Sequence, residues 1–228
     1  MIKWILNLFK RKKKTREPTL VAPKKDSPKK ESFELKEGMI GIDISHHNKV
    51  TDMQKVVDGV DFIYMKATEG ESFVSRVYDE RARQLNQMDI PWGAYHYYRT
   101  GKDPKKQLAH FLSYIDVNSG LPPVLDVESI NNNFKPNVHT AEILDILNGL
   151  EKATGIVPIL YTNYYFCKDH IKPDESFLKY PLWIAWYRKD FNGVKIPKPW
   201  SNPKLWQFTS SGSINGIEGR VDINKVII

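Results

Sequence analysis

Two carboxylates one residue apart, Asp126 and Glu128, stand in the otherwise apolar run PPVLDVE. Side chains two apart on an extended strand share a face, with their Cα atoms roughly 6.5 to 7 Å apart. Mutual repulsion and partial desolvation raise the proton affinity of one, leaving an acid beside an ionised partner near neutral pH. Cleavage of a glycosidic bond needs that division of labour. Asp43, in MIGIDIS, is another carboxylate within an apolar run, where charge is costly unless it is paired or used. His46 and His47 follow it, but neighbours on an extended segment point opposite ways. At most one could join Asp43 and Glu128 around a metal, and no further histidine cluster lies at ligand spacing. No metal or other cofactor is expected. The only cysteine, Cys167, excludes an intramolecular disulfide and leaves no Cys-based zinc site.

From Met39 onward, short apolar runs alternate with amphipathic stretches, the pattern of βα units around a parallel sheet. Strands are predicted at 39–45, 61–68, 91–98, 122–128, 156–162, 181–187, 204–209 and 221–227. Helices are predicted at 51–58, 74–88, 104–117 and 139–153, the third opening with Asp103 as N-cap and Pro104 at N1. This is an α/β chain forming an irregular, TIM-like (β/α) barrel of eight strands, with fewer helices in its second half. A doubly wound open sheet fits less well, because GIDISHHN lacks the glycine-rich phosphate loop after the first strand. Barrel sites lie at the C-terminal ends of the strands. Reading those ends in turn gives Asp43, Glu69, His96, Asp126 with Glu128, Tyr161, Trp186 and Gln207. Most of the aromatic residues between Trp92 and Trp206 fill the core. Those facing the mouth, among them Tyr95, Tyr161 and Trp186, supply flat apolar faces for sugar rings.

The formal charge of +7 in 228 residues first suggests affinity for nucleic acid or membrane. Its distribution excludes the former. Residues 1–37 carry 12 Lys/Arg against 5 Asp/Glu, and the remaining 22 basic and 22 acidic residues cancel. A neutral body with 12% aromatic residues lacks the clustered cations of a phosphate-tracking groove and suits a neutral glycan. The Pro-, Lys-, Glu- and Ser-rich stretch 15–37 reads as a disordered linker. Ahead of it, the apolar run Trp4–Phe9 precedes a basic block, the wrong order for a cleaved signal peptide and too short to span a bilayer. Three readings fit: an amphipathic anchor on an anionic membrane surface, a truncated or atypical export signal, or a plain solvated tail. The first two place the protein in the cell envelope or outside the cell.

These motifs resemble the glycoside hydrolase family 25 lysozymes, the Chalaropsis-type N-acetylmuramidases. GIDISHHN is similar to that family's opening G-x-D-x-S strand, DFIYMKATEG to its second, WGAYHYYR to its third, and PPVLDVES to its D-x-E strand. LWQFTSSGSINGIEGRVDINKV is similar to its closing W-Q-[FY] and V-D-x-N segment, so the resemblance covers 38–228. It implies a flattened, irregular β/α barrel, with Glu128 as general acid, Asp126 beside it, and Asp43 and Asp222 as further carboxylates lining the groove. It also implies hydrolysis, without a metal, of the β-1,4 bond between N-acetylmuramic acid and N-acetylglucosamine in peptidoglycan glycan strands. The alternative is a non-catalytic glycan-binding module on the same barrel. Here His46-His47 stands where the family frequently has a glutamine, and the basic segment 1–37 lies outside the family domain.

Overall fold

The structure is a computed structural model that describes residues 33–128 and 139–228. The apolar and basic part of the N-terminal segment, residues 1–32, lies outside the described residues. Eight strands form the barrel wall: β1 (Ile40–Ile44), β2 (Phe62–Glu69), β3 (Trp92–Tyr97), β4 (Val124–Asp126), β5 (Ile159–Asn163), β6 (Leu182–Ala185), β7 (Leu205–Gly212) and β8 (Val221–Val226). Strands β1 to β7 run parallel in sequence order, and β8 closes the wall between β7 and β1 as an antiparallel strand. The short link from Gly212 to Val221 accounts for the reversal. A parallel crossover needs a dozen or more residues, whereas a hairpin-like return does not. The start of β8 therefore lies at the same rim as the ends of the other seven strands.

Helices α1 (Met53–Val57), α2 (Tyr78–Asn86), α3 (Pro104–Leu112), α4 (His139–Thr154) and α5 (Tyr164–His170) flank the wall. Helix α3 starts as its sequence predicts, with Asp103 Oδ1 accepting from the Lys105 and Lys106 amides and Pro104 in the first turn. No helix was expected at α5. Its N-cap, Asn163, is the last residue of β5, and its side-chain oxygen accepts from the Phe166 amide at 2.8 Å. Strand and helix share a residue, so no turn-rich stretch separates them.

Strand alternation sorts the side chains into two cores. Outward residues such as Ile42, Ile63, Met65, Leu125, Leu160 and Ile184 pack with Val56, Leu85, Phe111 and Leu147 from the helices. The inward set, Phe62, Tyr64, Val124, Ile159, Trp183, Leu205 and Val226, plugs the lower barrel together with Leu35. Leu35 belongs to the stretch expected to be linker, yet it is buried, and the Phe33 amide donates to the Gly120 carbonyl. Gly93 makes room for this plug, since a Cβ there would meet Tyr64 Cε1 at 2.5 Å. Above the plug the inward positions become polar.

Candidate active site

The same alternation places Asp43 on β1, Lys66 on β2, Tyr95 and Tyr97 on β3, Asp126 on β4, Tyr161 on β5, Gln207 on β7 and Asp222 on β8 around one cavity of about 350 Å³. Glu128, two residues beyond Asp126, keeps the inward phase past the end of β4, because the Val127 amide still donates to the Tyr161 carbonyl at 2.9 Å. Of the ten candidate positions, the cavity gathers Asp43, Glu69, Tyr95, Asp126, Glu128, Tyr161, Gln207 and Asp222. Two candidates lie elsewhere. His96 sits between the inward Tyr95 and Tyr97 and so points out of the barrel, where Nδ1 is 2.8 Å from Thr68 Oγ1 and Nε2 is 3.4 Å from Gln107 Oε1. Burial lowers its pKa to about 3, so it stays neutral. Its work is structural: Gln107 accepts from the Arg99 amide and donates to the Arg99 carbonyl, holding that residue at the cavity rim. Trp186, outward after the inward Ala185, lines an adjoining groove that shares Glu128 and Tyr187 with the cavity.

Glu69 reaches the cavity by a different route. Strict alternation from Lys66 would turn it outward, but the pairing of β2 with β3 shifts register between Lys66 and Thr68. Such an irregularity re-aims a side chain. Glu69 then bridges Lys66 Nζ at 2.5 Å and Arg99 Nε at 2.7 Å. Lys66 also stands 4.5 Å from the centroid of the Tyr97 ring. Lys66 and Arg99 are cavity residues outside those ten candidates. Lys66 carried a signal, a charge inside the apolar run FIYM-K-AT, the same criterion that singled out Asp43.

One network orients the carboxylates. Trp183 Nε1 donates to Asn224 Oδ1, and Asn224 Nδ2 and Gln207 Nε2 both donate to Asp43 Oδ2 at 2.9 Å. Burial raises the Asp43 carboxyl while these amide donors pull it back down. Asp222 faces Asp43 across the β1–β8 pair and rises to about 7, through desolvation first and then the charges of Asp43 and Glu128. Glu128 is raised by desolvation and by Asp43, and lowered by a hydrogen bond with Tyr161. The Tyr161 hydroxyl lies 3.0 Å from Gln207 Oε1 and, where it donates to Glu128 instead, favours the ionised form of that carboxyl. Asp126 is raised well above the usual carboxylate range by desolvation and then by Glu128. Its Oδ1 is buried and has no hydrogen-bond partner among the described residues. Of the five carboxyls in the cavity, Glu69 is paired with Lys66 and Arg99, and the other four, all raised, cannot ionise together near neutrality, so protonated acid and ionised partner coexist. Among the described residues no three His, Cys, Asp or Glu side chains are grouped to hold a metal.

The family model for glycosyl hydrolases family 25 matches residues 42–217. The chain belongs to that family. It is 31% identical over 194 residues to the uncharacterized protein YegX of Escherichia coli (strain K12), covering 81% of this chain and 68% of that protein. To the autolytic lysozyme of Clostridium acetobutylicum it is 30% identical over 191 residues, covering 82% of this chain and 55% of the other. The bacterial lysozyme from Streptomyces coelicolor superposes with a TM-score of 0.73 at 24% identity, over 83% of this chain and 92% of that one. A family 25 glycosyl hydrolase from Bacillus anthracis gives 0.73 at 24%, over 88% and 94%. These two establish the same barrel. This family 25 enzyme is a glycoside hydrolase of the lysozyme, or muramidase, kind.

Proposed function

We propose that the enzyme hydrolyses the β-1,4 bond between N-acetylmuramic acid and N-acetylglucosamine in peptidoglycan, with Glu128 as general acid and Asp126 as its partner at the reacting sugar. The unpartnered, buried Oδ1 of Asp126 carries this reading. A buried acceptor without a donor costs about 1–3 kcal/mol, and the 2-acetamido N–H of an N-acetylated sugar is a donor of the right kind. Accepting that N–H turns the acetamido oxygen toward the anomeric carbon. There it can bond to carbon as the glycosidic C–O bond breaks and the leaving oxygen takes the Glu128 proton. Positive charge developing on the sugar then sits in the field of the carboxyl cluster, whose ionised members stabilise it. We further propose that residues 1–32 hold this enzyme at an anionic membrane surface of the cell envelope.

The test is muropeptide release from purified peptidoglycan, followed by chromatography and identification of the new reducing end. Glu128→Gln should lower the rate at least about 100-fold without loss of fold. A folded Glu128→Gln protein working at the parent rate would sink the assignment of the acid. New reducing ends made of N-acetylglucosamine would overturn the assigned bond.

A further inference from the structure

Beyond Glu128 the cleft does not stop. A groove of about 600 Å³ continues from the cavity, sharing Glu128 and Tyr187 with it but holding none of Asp43, Asp126 or Asp222. Its floor is a stacked pair of rings, Tyr165 and Trp186, with centroids 5.5 Å apart and planes inclined by 24°. Alternation along β6 explains Trp186, which turns outward after Trp183 and Ala185 turn in. Tyr165, in the first turn of α5, is 59% exposed, and Tyr187 is 58% exposed. Large aromatic faces left in water beside a catalytic group mark a place for a ligand rather than for core. The groove is tied to the acid by one residue. Asn163 caps α5, so placing Tyr165, and its Nδ2 donates to the Glu128 carbonyl at 3.3 Å.

We propose that the Tyr165–Trp186 pair is a leaving-side subsite, on which the apolar face of the departing N-acetylglucosamine ring stacks. This rests on the acid role of Glu128 and deepens it. The proton from Glu128 goes to the oxygen that bridges two sugars, and the sugar undergoing substitution lies with Asp126. The sugar released must therefore lie on the far side of Glu128, where the groove begins. A ring bound there holds the bridging oxygen against the acid, so remote binding energy is used in the transition state.

Two substrates that share the reacting sugar and differ in leaving group separate this from a general defect. One is peptidoglycan glycan strands; the other is the N-acetylglucosaminyl-N-acetylmuramyl fluoride of β configuration, whose leaving group has no ring to stack. Tyr165→Ala should lower kcat/KM on strands at least ten-fold more than on the fluoride, and Tyr165→Phe, which keeps the ring, should restore the parent ratio. Equal losses on both substrates, or no loss on either, would overturn the subsite. If the unaltered enzyme releases no muropeptides at all, the fault lies in the proposed function, a result distinct from normal release that ignores Tyr165.

Discussion

Asp43 and Asp222 stand directly opposite each other on antiparallel strands, a pairing that two like charges would oppose. A proton held by Asp222 toward Asp43 relieves it, and this protonation has a thermodynamic signature. The Asp222 carboxyl moves from an ordinary 3.8 to about 7 in the folded protein, so between those values the native state binds more protons than the unfolded chain. The contribution of this carboxyl to stability must then fall as pH rises through that window, and the raised carboxyls of Asp126 and Glu128 act with the same sign. The lowered carboxyls of Glu69, Asp52 and Asp174 act oppositely, but their contribution is complete once the unfolded groups have ionised, below about pH 5. Across pH 5 to 7 the neutral His96 acts oppositely, since its pKa of about 3 lies below that of an unfolded histidine. The cluster is therefore read by difference: from pH 5 to 8 the melting temperature of the parent should fall relative to that of Asp222→Asn by on the order of a few degrees. Parallel pH profiles of the two proteins over this range, measured by calorimetry, would contradict a proton-sharing cluster. Asp43 and Asp126 were legible as candidates because a carboxylate in an apolar strand must be paired or used. The unpartnered oxygen of Asp126 was not legible, since it depends on what the other seven strands bring near it.

At the scale of elements, all eight strands follow from short, nearly continuous apolar runs, as strands covered on both faces do, and the alternation of side chains along each then sets its inward face. Alternation alone separates His96 from Tyr95 and Tyr97 and sends it under α3, a consequence that the order of residues in WGAYHYY already dictates. The irregularity between Lys66 and Thr68 is different in kind. No glycine or proline marks it in the run MKATE, and it is set by how β2 pairs with β3, so the inward turn of Glu69 had no local signal. The direction of β8 stood between these cases, implied by a short connection but not by its residues. Gly93 shows how tightly the elements under the site are fitted. Its added methyl would lie 2.5 Å from Tyr64 Cε1 and 3.0 Å from Leu121 Cβ. Tyr64 is fully buried with its ring centroid 5.1 Å from that of Trp183, so it has little room to yield. Overpacking of this kind costs about 1–3 kcal/mol. Gly93→Ala should therefore lower the melting temperature by roughly 3–10 °C. It should also reduce turnover, because Trp183 holds Asn224 and Asn224 holds Asp43. An alanine variant with parent stability would show that the plug is looser than these contacts imply.

For the whole molecule, charge and packing draw the boundary of the barrel at different places. The excess of positive charge ends near residue 37, ahead of a neutral body. Packing begins earlier: Leu35 is part of the barrel plug, its carbonyl accepts from Lys204 Nζ at 3.4 Å, and the Phe33 backbone is bonded to Gly120. Removing a buried leucine side chain costs about 2–5 kcal/mol, so a chain shortened to begin at Gly38 should melt roughly 5–15 °C below the parent. One beginning at Phe33 should keep both the parent melting temperature and its activity on isolated sacculi. The two shortened chains thus separate what the basic segment does for stability from what it does for location. Attraction of about 1 kcal/mol per basic residue near an anionic leaflet, with burial of Trp4, Ile5, Leu8 and Phe9, is enough for reversible attachment. Full-length protein should sediment with anionic vesicles at low salt and be released at high salt, while the chain beginning at Phe33 should stay in solution. If the full-length protein stays in solution too, or the shortened chain sediments equally well, the membrane anchor is wrong. An export signal or a passive linker then becomes the better account of residues 1–32.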